Sequence, residues 1–191
     1  MNNKILKELL LIAVTLAIMS FDLPKGWYPD GDAPGKYVME IVKGAGPNGQ
    51  NAATIKSREK KIIGEFGTLA QSCRAYRYSG KRIKMTADVK SENVADWAGL
   101  WLRVDNGCTG EVLSFDNMKD RPIKATTTWK TYEITLDVPK EATTLSYGAL
   151  LSGTGQIWFT NFEFTVIGNI SQEKEKFNSI ENEPTNLNFE N

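Results

Sequence analysis

A chain of 191 residues with 23 basic and 23 acidic side chains, no net charge and 41% hydrophobic residues is long enough for one domain with a sizeable core plus appendages. Balanced charge excludes the basic surplus that neutralising phosphates requires, so no nucleic-acid partner is expected. The absence of histidine excludes Ser-His-Asp and Cys-His catalysis and almost every catalytic zinc site, leaving acid-base chemistry to Asp, Glu, Lys or Tyr and metal binding to oxygen ligands.

The chain begins with Lys4 and Lys7, then an apolar run from Leu9 to Met19 that Asp22, Pro24 and Lys25 end abruptly. A charged start and a short hydrophobic segment are the layout of a signal peptide, and the run is shorter than the roughly 20 residues of a membrane span. Residues 1–23 are therefore expected to direct export, to the exterior, the periplasm or the cell envelope. Ala17-Ile18-Met19-Ser20 matches the small-x-small cleavage pattern poorly. An uncleaved N-terminal anchor is the alternative, and the one expected contact with a membrane.

Gly26 to Gly35 is dense in turn formers and reads as an ordered loop, with Trp27 and Tyr28 plugging one end of the domain rather than walling a ligand. Strands are expected over 36–43, where Tyr37, Met39 and Ile41 alternate with polar residues, over 53–57, and over 66–75, where Leu69, Gln71 and Cys73 share a side. Gly44 to Gln50 is a turn, and Arg58 to Lys61 a solvated charged loop. Over 82–90, Ile83, Met85, Ala87 and Val89 face a core while Arg82, Lys84, Thr86, Asp88 and Lys90 face water. Ser91 to Asp96 then leads into the most informative stretch.

From Asp96 to Gly107, strict alternation sends Ala98, Leu100, Leu102 and Val104 to one face and Trp97, Gly99, Trp101, Arg103 and Asp105 to the other. The first row suits a core. The second, two indoles flanking a small residue and followed by an arginine, is the pattern of an aromatic platform for a planar or sugar-like ligand. If a loop covered this face, both indoles would be plain core instead.

A further strand is expected at 111–118, an extended loop at 119–128, and a strand at 129–138 with Tyr132, Ile134, Leu136 and Val138 inward. Leu145, Tyr147, Ala149 and Leu151 mark the next strand and Gly153-Thr154-Gly155 a hairpin. The last strand is 156–166, with Phe162, Phe164 and Val166 on one side. Roughly nine short strands without a helical period make an all-β sandwich over 24–168. Residues 169–191 form a polar tail expected to be flexible, whose Phe177, Ile180, Leu187 and Phe189 are the candidate anchors for a protein partner. Cys73 and Cys108 lack metal or redox spacing. They are either one disulfide or, the reading preferred here, two separate thiols.

Taken together, the aromatic N-terminal loop, Tyr-Ser-Gly-Lys-Arg-Ile-Lys-Met-Thr-Ala-Asp-Val-Lys at 78–90, the Trp strand, Thr-Trp-Lys-Thr-Tyr-Glu-Ile-Thr-Leu at 128–136 and Gly-Thr-Gly-Gln-Ile-Trp-Phe-Thr-Asn-Phe-Glu-Phe at 153–164 resemble the galactose-binding-like jelly rolls. The likeness is strongest to the carbohydrate-binding modules found beside bacterial glycoside hydrolases. Three shorter pieces, Phe-Gly-Thr-Leu-Ala-Gln at 66–71, Trp-Ala-Gly-Leu-Trp-Leu-Arg-Val-Asp at 97–105 and Ser-Phe-Asp-Asn-Met at 114–118, look like a module joined in some bacteria to helix-turn-helix transcription regulators. There it would serve as a sensor or accessory domain. The first resemblance implies an Asp on the last strand that helps hold a structural calcium ion. Asn161 stands at the similar place, so no cofactor and no metal residues are expected. Asp30, Asp32 and Glu40 are the remaining oxygen donors, with turn formation the simpler role for the aspartates.

The leading expectation is a non-catalytic module that binds an oligosaccharide or polysaccharide. Trp97 and Trp101 stack on a sugar ring, while Arg103, Gln71, Asp116 and Asn117 supply hydrogen bonds to its hydroxyls. The alternatives are a structural, interaction or sensor domain of the cell envelope and, ranked lower, a glycoside-active enzyme using Asp105 and Asp116. The last needs two carboxylates held roughly 5 to 9.5 Å apart across a cleft.

Overall fold

Strand formers alternating with turn residues continue from Trp27 to Asn169, and the chain responds with nine strands and no helix beyond two single 3-10 turns among the described residues. The computed structural model describes residues 23–170. The expectations for the leading 22 residues and for the tail after 170 lie outside the described residues. The strands are β1 (Trp27–Asp30), β2 (Tyr37–Val42), β3 (Ala52–Ser57), β4 (Phe66–Arg74), β5 (Lys81–Asn106), β6 (Glu111–Asp116), β7 (Ile123–Val138), β8 (Thr144–Ser152) and β9 (Gln156–Asn169).

All pairings are antiparallel within one nine-stranded sheet, and β5 runs through both of its layers. Its first half, Lys81 to Glu92, lies between β7 and β9, with β3 and β2 beyond β9. Its second half, Trp97 to Asn106, lies between β6 and β8, with β4 and β1 beyond β8. Two five-stranded layers therefore share one strand, and the fold is a nearly closed jelly-roll sandwich.

The bend that carries β5 from one layer to the other occupies Ser91 to Asp96, where the register with β7 shifts repeatedly. Asn93 there takes φ 51°, a left-handed conformation that Asn tolerates better than most residues. On the facing strand, Ala125 also has positive φ, and its carbonyl accepts a hydrogen bond from the Ser91 hydroxyl at 3.1 Å.

The core lies between the layers. Ile83, Met85, Ala87 and Val89 of the first half of β5 and Ala98, Leu100, Leu102 and Val104 of the second are buried, as their alternation requires. Ile134 and Val138 of β7, Leu145, Ala149 and Leu151 of β8 and Ile157 and Phe159 of β9 complete it. Each large apolar side chain withdrawn from water contributes ~1.5–3 kcal/mol. Tyr37 closes one end by donating its hydroxyl to the carbonyls of Glu65 and Gly153, both at 3.1 Å.

The structure corrects the sequence reading in four places. The N-terminal loop contains β1, because Trp27 to Asp30 finds an open edge on β4. The two strands expected at 82–90 and in the Trp stretch are one continuous strand. Ile123 to Thr128, read as loop, begins β7: Ile123 is buried against the sandwich, and its chain pairs with the bend of β5. Val166 is exposed, unlike Phe162 and Phe164. Trp27 does plug the interior, packing edge-on to Tyr147 with ring centroids 5.9 Å apart and against Phe162 at 5.3 Å.

Candidate functional site

Directly opposed residues of an antiparallel pair share a face, so the register maps the outer surface of the layer built from β1, β4, β8, β5 and β6. Trp97 stands opposite Ser152, Gly99 opposite Leu150, Trp101 opposite Gly148 and Arg103 opposite Ser146 on β8. One strand further, β4 contributes Phe66, Thr68 and Ala70, and β1 contributes Asp30 and Tyr28. On the other side, Phe115 of β6 pairs with Arg103. Trp97, Trp101, Arg103 and Asn117 line one groove of about 350 Å³, together with Asp30, Asp32, Phe66, Thr68, Phe115 and Leu150.

Trp101 is held in position by its neighbours. Its indole Nε1 donates to Thr68 Oγ1 at 2.7 Å, and the Thr68 hydroxyl donates in turn to the Ala149 carbonyl at 2.7 Å. The ring reaches β4 because Gly148 leaves the surface of β8 bare beneath it. A Cβ at Gly148 would stand 3.1 Å from the indole nitrogen and collide with the Leu69 carbonyl. A second glycine admits the loop after β6. A Cβ at Gly99 would meet the Asn117 carbonyl at 2.9 Å and Met118 Cβ at 3.1 Å. Asn117 therefore closes over the sheet between the indoles, and Met118 is buried beneath it. The surface is a walled groove rather than the open platform the alternation suggests.

Both indoles are partly buried and both border the groove. Arg103 is about half exposed and its Nε donates to Asp105 Oδ2 at 3.0 Å, leaving other guanidinium donors free to meet a ligand. Asp30 Oδ1 accepts the Gly31 amide at 2.8 Å, and its carboxylate retains further acceptor capacity. The arrangement offers an aromatic floor with acceptors and donors around its rim.

Two of the residues expected at the site lie elsewhere. Gln71 is on the inner face of the same layer, opposite Trp27 and Tyr147, where its side-chain oxygen accepts the Tyr147 hydroxyl. Asp116 pairs with the inward-facing Leu102. Arg121 donates to both oxygens of this carboxylate, at 2.6 and 3.2 Å, and Asp116 Oδ1 also accepts the Met118 amide at 2.7 Å. It shapes the loop that presents Asn117. Asp105 and Asp116 consequently sit on opposite faces of the sheet, each paired with an arginine.

Thr68, Phe66, Phe115, Leu150 and the two aspartates of the β1 end were not legible as groove residues. Each comes from a strand whose face and neighbours depend on pairing rather than on local pattern. No group of three or more Asp, Glu, Cys or His residues is arranged to hold a metal among the described residues. Asp30 and Asp32 border the groove, whereas Glu40 lies on β2 of the other layer, and Asn161 Nδ2 donates to Asp88 at 2.9 Å. Cys73 and Cys108 are free and exposed thiols.

No protein-family model matches the chain. Over 168 residues it is 39% identical to the uncharacterized HTH-type transcriptional regulator YbfP of Bacillus subtilis (strain 168), a match covering 87% of this chain and 57% of the regulator. The chain thus spans just over half the length of the curated relative it matches. Among solved structures, the enzymatically active domain of tailspike protein 4 of bacteriophage CBA120 superposes with a TM-score of 0.57 at 13% identity, over 77% of this chain and 20% of that one. The C-terminal family 22 carbohydrate-binding module of Clostridium thermocellum Xyn10B gives a TM-score of 0.55 at 10% identity, covering 78% of this chain and 91% of the module. The fold is the jelly-roll sandwich that these structures share. The N-terminal modules of the same xylanase, a family 22 module with its GH10 domain complexed with xylohexaose, match with a TM-score of 0.55 at 18% identity, over 75% of this chain and 26% of that one.

Proposed function

We propose that residues 24–168 form a non-catalytic carbohydrate-binding module and that the groove around Trp101 receives a saccharide chain. One observation carries this reading: the Trp101 indole is pinned across Gly148 by its bond to Thr68, within a groove that also holds Trp97, Arg103, Asn117 and Asp30. A stacking surface that is already ordered loses little conformational entropy when a sugar ring settles on it. Polar groups at the rim select the orientation of the hydroxyls. The likeness of the fold to modules from a xylan-degrading enzyme supports a saccharide ligand.

The test is a glycan-array screen of the full chain, followed by titration of each binder against tryptophan fluorescence. Binding that Trp101→Ala abolishes in a folded protein supports the reading, and a blank array overturns it. A second reading rests on the 39% identity to a transcriptional regulator. In that setting the same groove serves as the sensor site of a larger protein, and ligand occupancy is the signal rather than an anchor to a substrate. Retention on the insoluble polymer separates the two: an anchoring module is held on it, whereas a sensor site specific for short free oligosaccharides is not.

A further inference from the structure

The groove does not end at Trp97. Beyond it lies a second depression of about 560 Å³ lined by Gly64, Phe66, Asp96, Trp97, Asn117, Lys119, Pro122, Lys124 and Ser152. Phe66, Trp97 and Asn117 border both, so the two depressions adjoin across these three residues.

The two depressions differ in charge. Toward Trp101 the charged groups are Asp30, Asp32 and Arg103, and Arg103 is already paired with Asp105. In the second depression they are Lys119, Lys124 and Asp96. Asp96 accepts the Ser152 hydroxyl through Oδ2 at 2.6 Å. Lys119 and Lys124 enter none of the ion pairs among the described residues. The basic residues in the first depression and on the loop, Arg103 and Arg121, are by contrast held by neighbouring carboxylates. Lys124 lies at the start of β7 and Lys119 in the loop from Asn117 to Pro122, and both line the depression. The shape of the loop is fixed from below by buried Met118 and by Asp116, which binds the Met118 amide and Arg121.

We infer that this second depression receives a carboxylate carried on the saccharide chain, so that the ligand is a uronate-bearing glycan rather than a neutral one. The inference rests on the saccharide reading above and refines it. Neutral hydroxyls are well served by the Asp, Asn and Arg groups near Trp101. Two ammonium groups lining one depression recognise an anion by charge-assisted hydrogen bonds. Such contacts at an open site act on selectivity and association rate and are weakened by salt.

The experiment compares xylohexaose with a xylo-oligosaccharide of the same backbone length carrying one glucuronic acid branch, each titrated into the full chain at low salt and at 0.5 M salt. The expected result is about tenfold tighter binding of the uronate ligand at low salt, as one charge-assisted hydrogen bond supplies. The ratio should fall toward one at high salt and in the double variant Lys119→Gln, Lys124→Gln, whose folding is checked by its thermal midpoint. Equal affinity for the two ligands in the unaltered protein overturns the inference while leaving the saccharide reading standing. So does a preference that survives the double substitution. Failure of both ligands to bind, with the array blank as well, overturns the saccharide reading and this inference with it.

Discussion

Trp101 Nε1 donates to Thr68 Oγ1 across the whole width of the intervening strand β8, at 2.7 Å. Two residues 33 positions apart in the chain thus define one surface, and the strand between them contributes only the bare backbone of Gly148 at the point where the ring crosses.

Replacing Thr68 with Val preserves shape and removes the hydroxyl. Both the indole nitrogen and the Ala149 carbonyl lose a partner, and Thr68 itself is only 4% exposed. An unsatisfied polar group at such a site costs ~1–3 kcal/mol. Urea unfolding should show a loss near the lower end of that range, since Trp101 is only partly buried. Tryptophan emission in the folded state should shift as the ring is released.

Gly148→Ala acts on the same ring from beneath. The new methyl group meets the Leu69 carbonyl and crowds the Trp101 nitrogen. Overpacking of this kind costs ~1–3 kcal/mol, and saccharide binding should be lost along with it. A variant that retains full affinity would show that Trp101 does not need its observed position.

Trp101→Ala and Leu100→Ala separate the two faces of β5. Leu100 is fully buried, so its truncation should cost ~2–5 kcal/mol while leaving the groove residues in place. Trp101→Ala should cost less than the ~3–5 kcal/mol of a fully buried tryptophan yet abolish binding. Equilibrium unfolding and ligand titration on both variants give the comparison.

Gln71→Ala makes the complementary test from the inner face. Its oxygen accepts the Tyr147 hydroxyl, and it is not among the residues that line the groove. Stability should fall by ~1 kcal/mol, with saccharide affinity unchanged. A substantial loss of affinity would place Gln71 back at the binding site.

Two tyrosines give the protein an alkaline limit. Burial, reinforced by the nearby Glu65 carboxylate, pushes the Tyr37 hydroxyl up to about 12, and burial also pushes Tyr147 up to about 12. Both stay neutral in the folded state at a pH where the unfolded chain ionises, near 10. Their contribution to stability is complete below pH ~10 and is lost as pH rises toward 12. Denaturation midpoints measured from pH 9 to 12 should fall across that window. The slope should lessen in Tyr37→Phe and in Tyr147→Phe.

Much of the fold follows from local chemistry. Alternation alone assigns Ala98, Leu100, Leu102 and Val104 to the core and Trp97, Trp101 and Arg103 to the other face, because side chains on a strand can point only two ways. The same rule identifies Ile83 to Val89 and Leu145 to Leu151 as buried rows, and turn residues at Gly153 to Gly155 mark the end of the second. Composition excludes histidine chemistry for the simple reason that the residue is absent.

Pairing decided the rest. Whether Gln71 joined the tryptophans depended on which face of β4 met which face of β8, a relation between strands more than 70 residues apart. Asp116 pointed away from the site because its register with Leu102 placed it on the inner face at the sheet edge, within reach of Arg121. Thr68, Asp30 and Phe115 entered the groove through three separate strand pairings, and the passage of β5 through both layers turned two expected strands into one. Local sequence sets the direction of each side chain relative to its own strand. Only the hydrogen-bonded register between distant strands sets which side chains become neighbours.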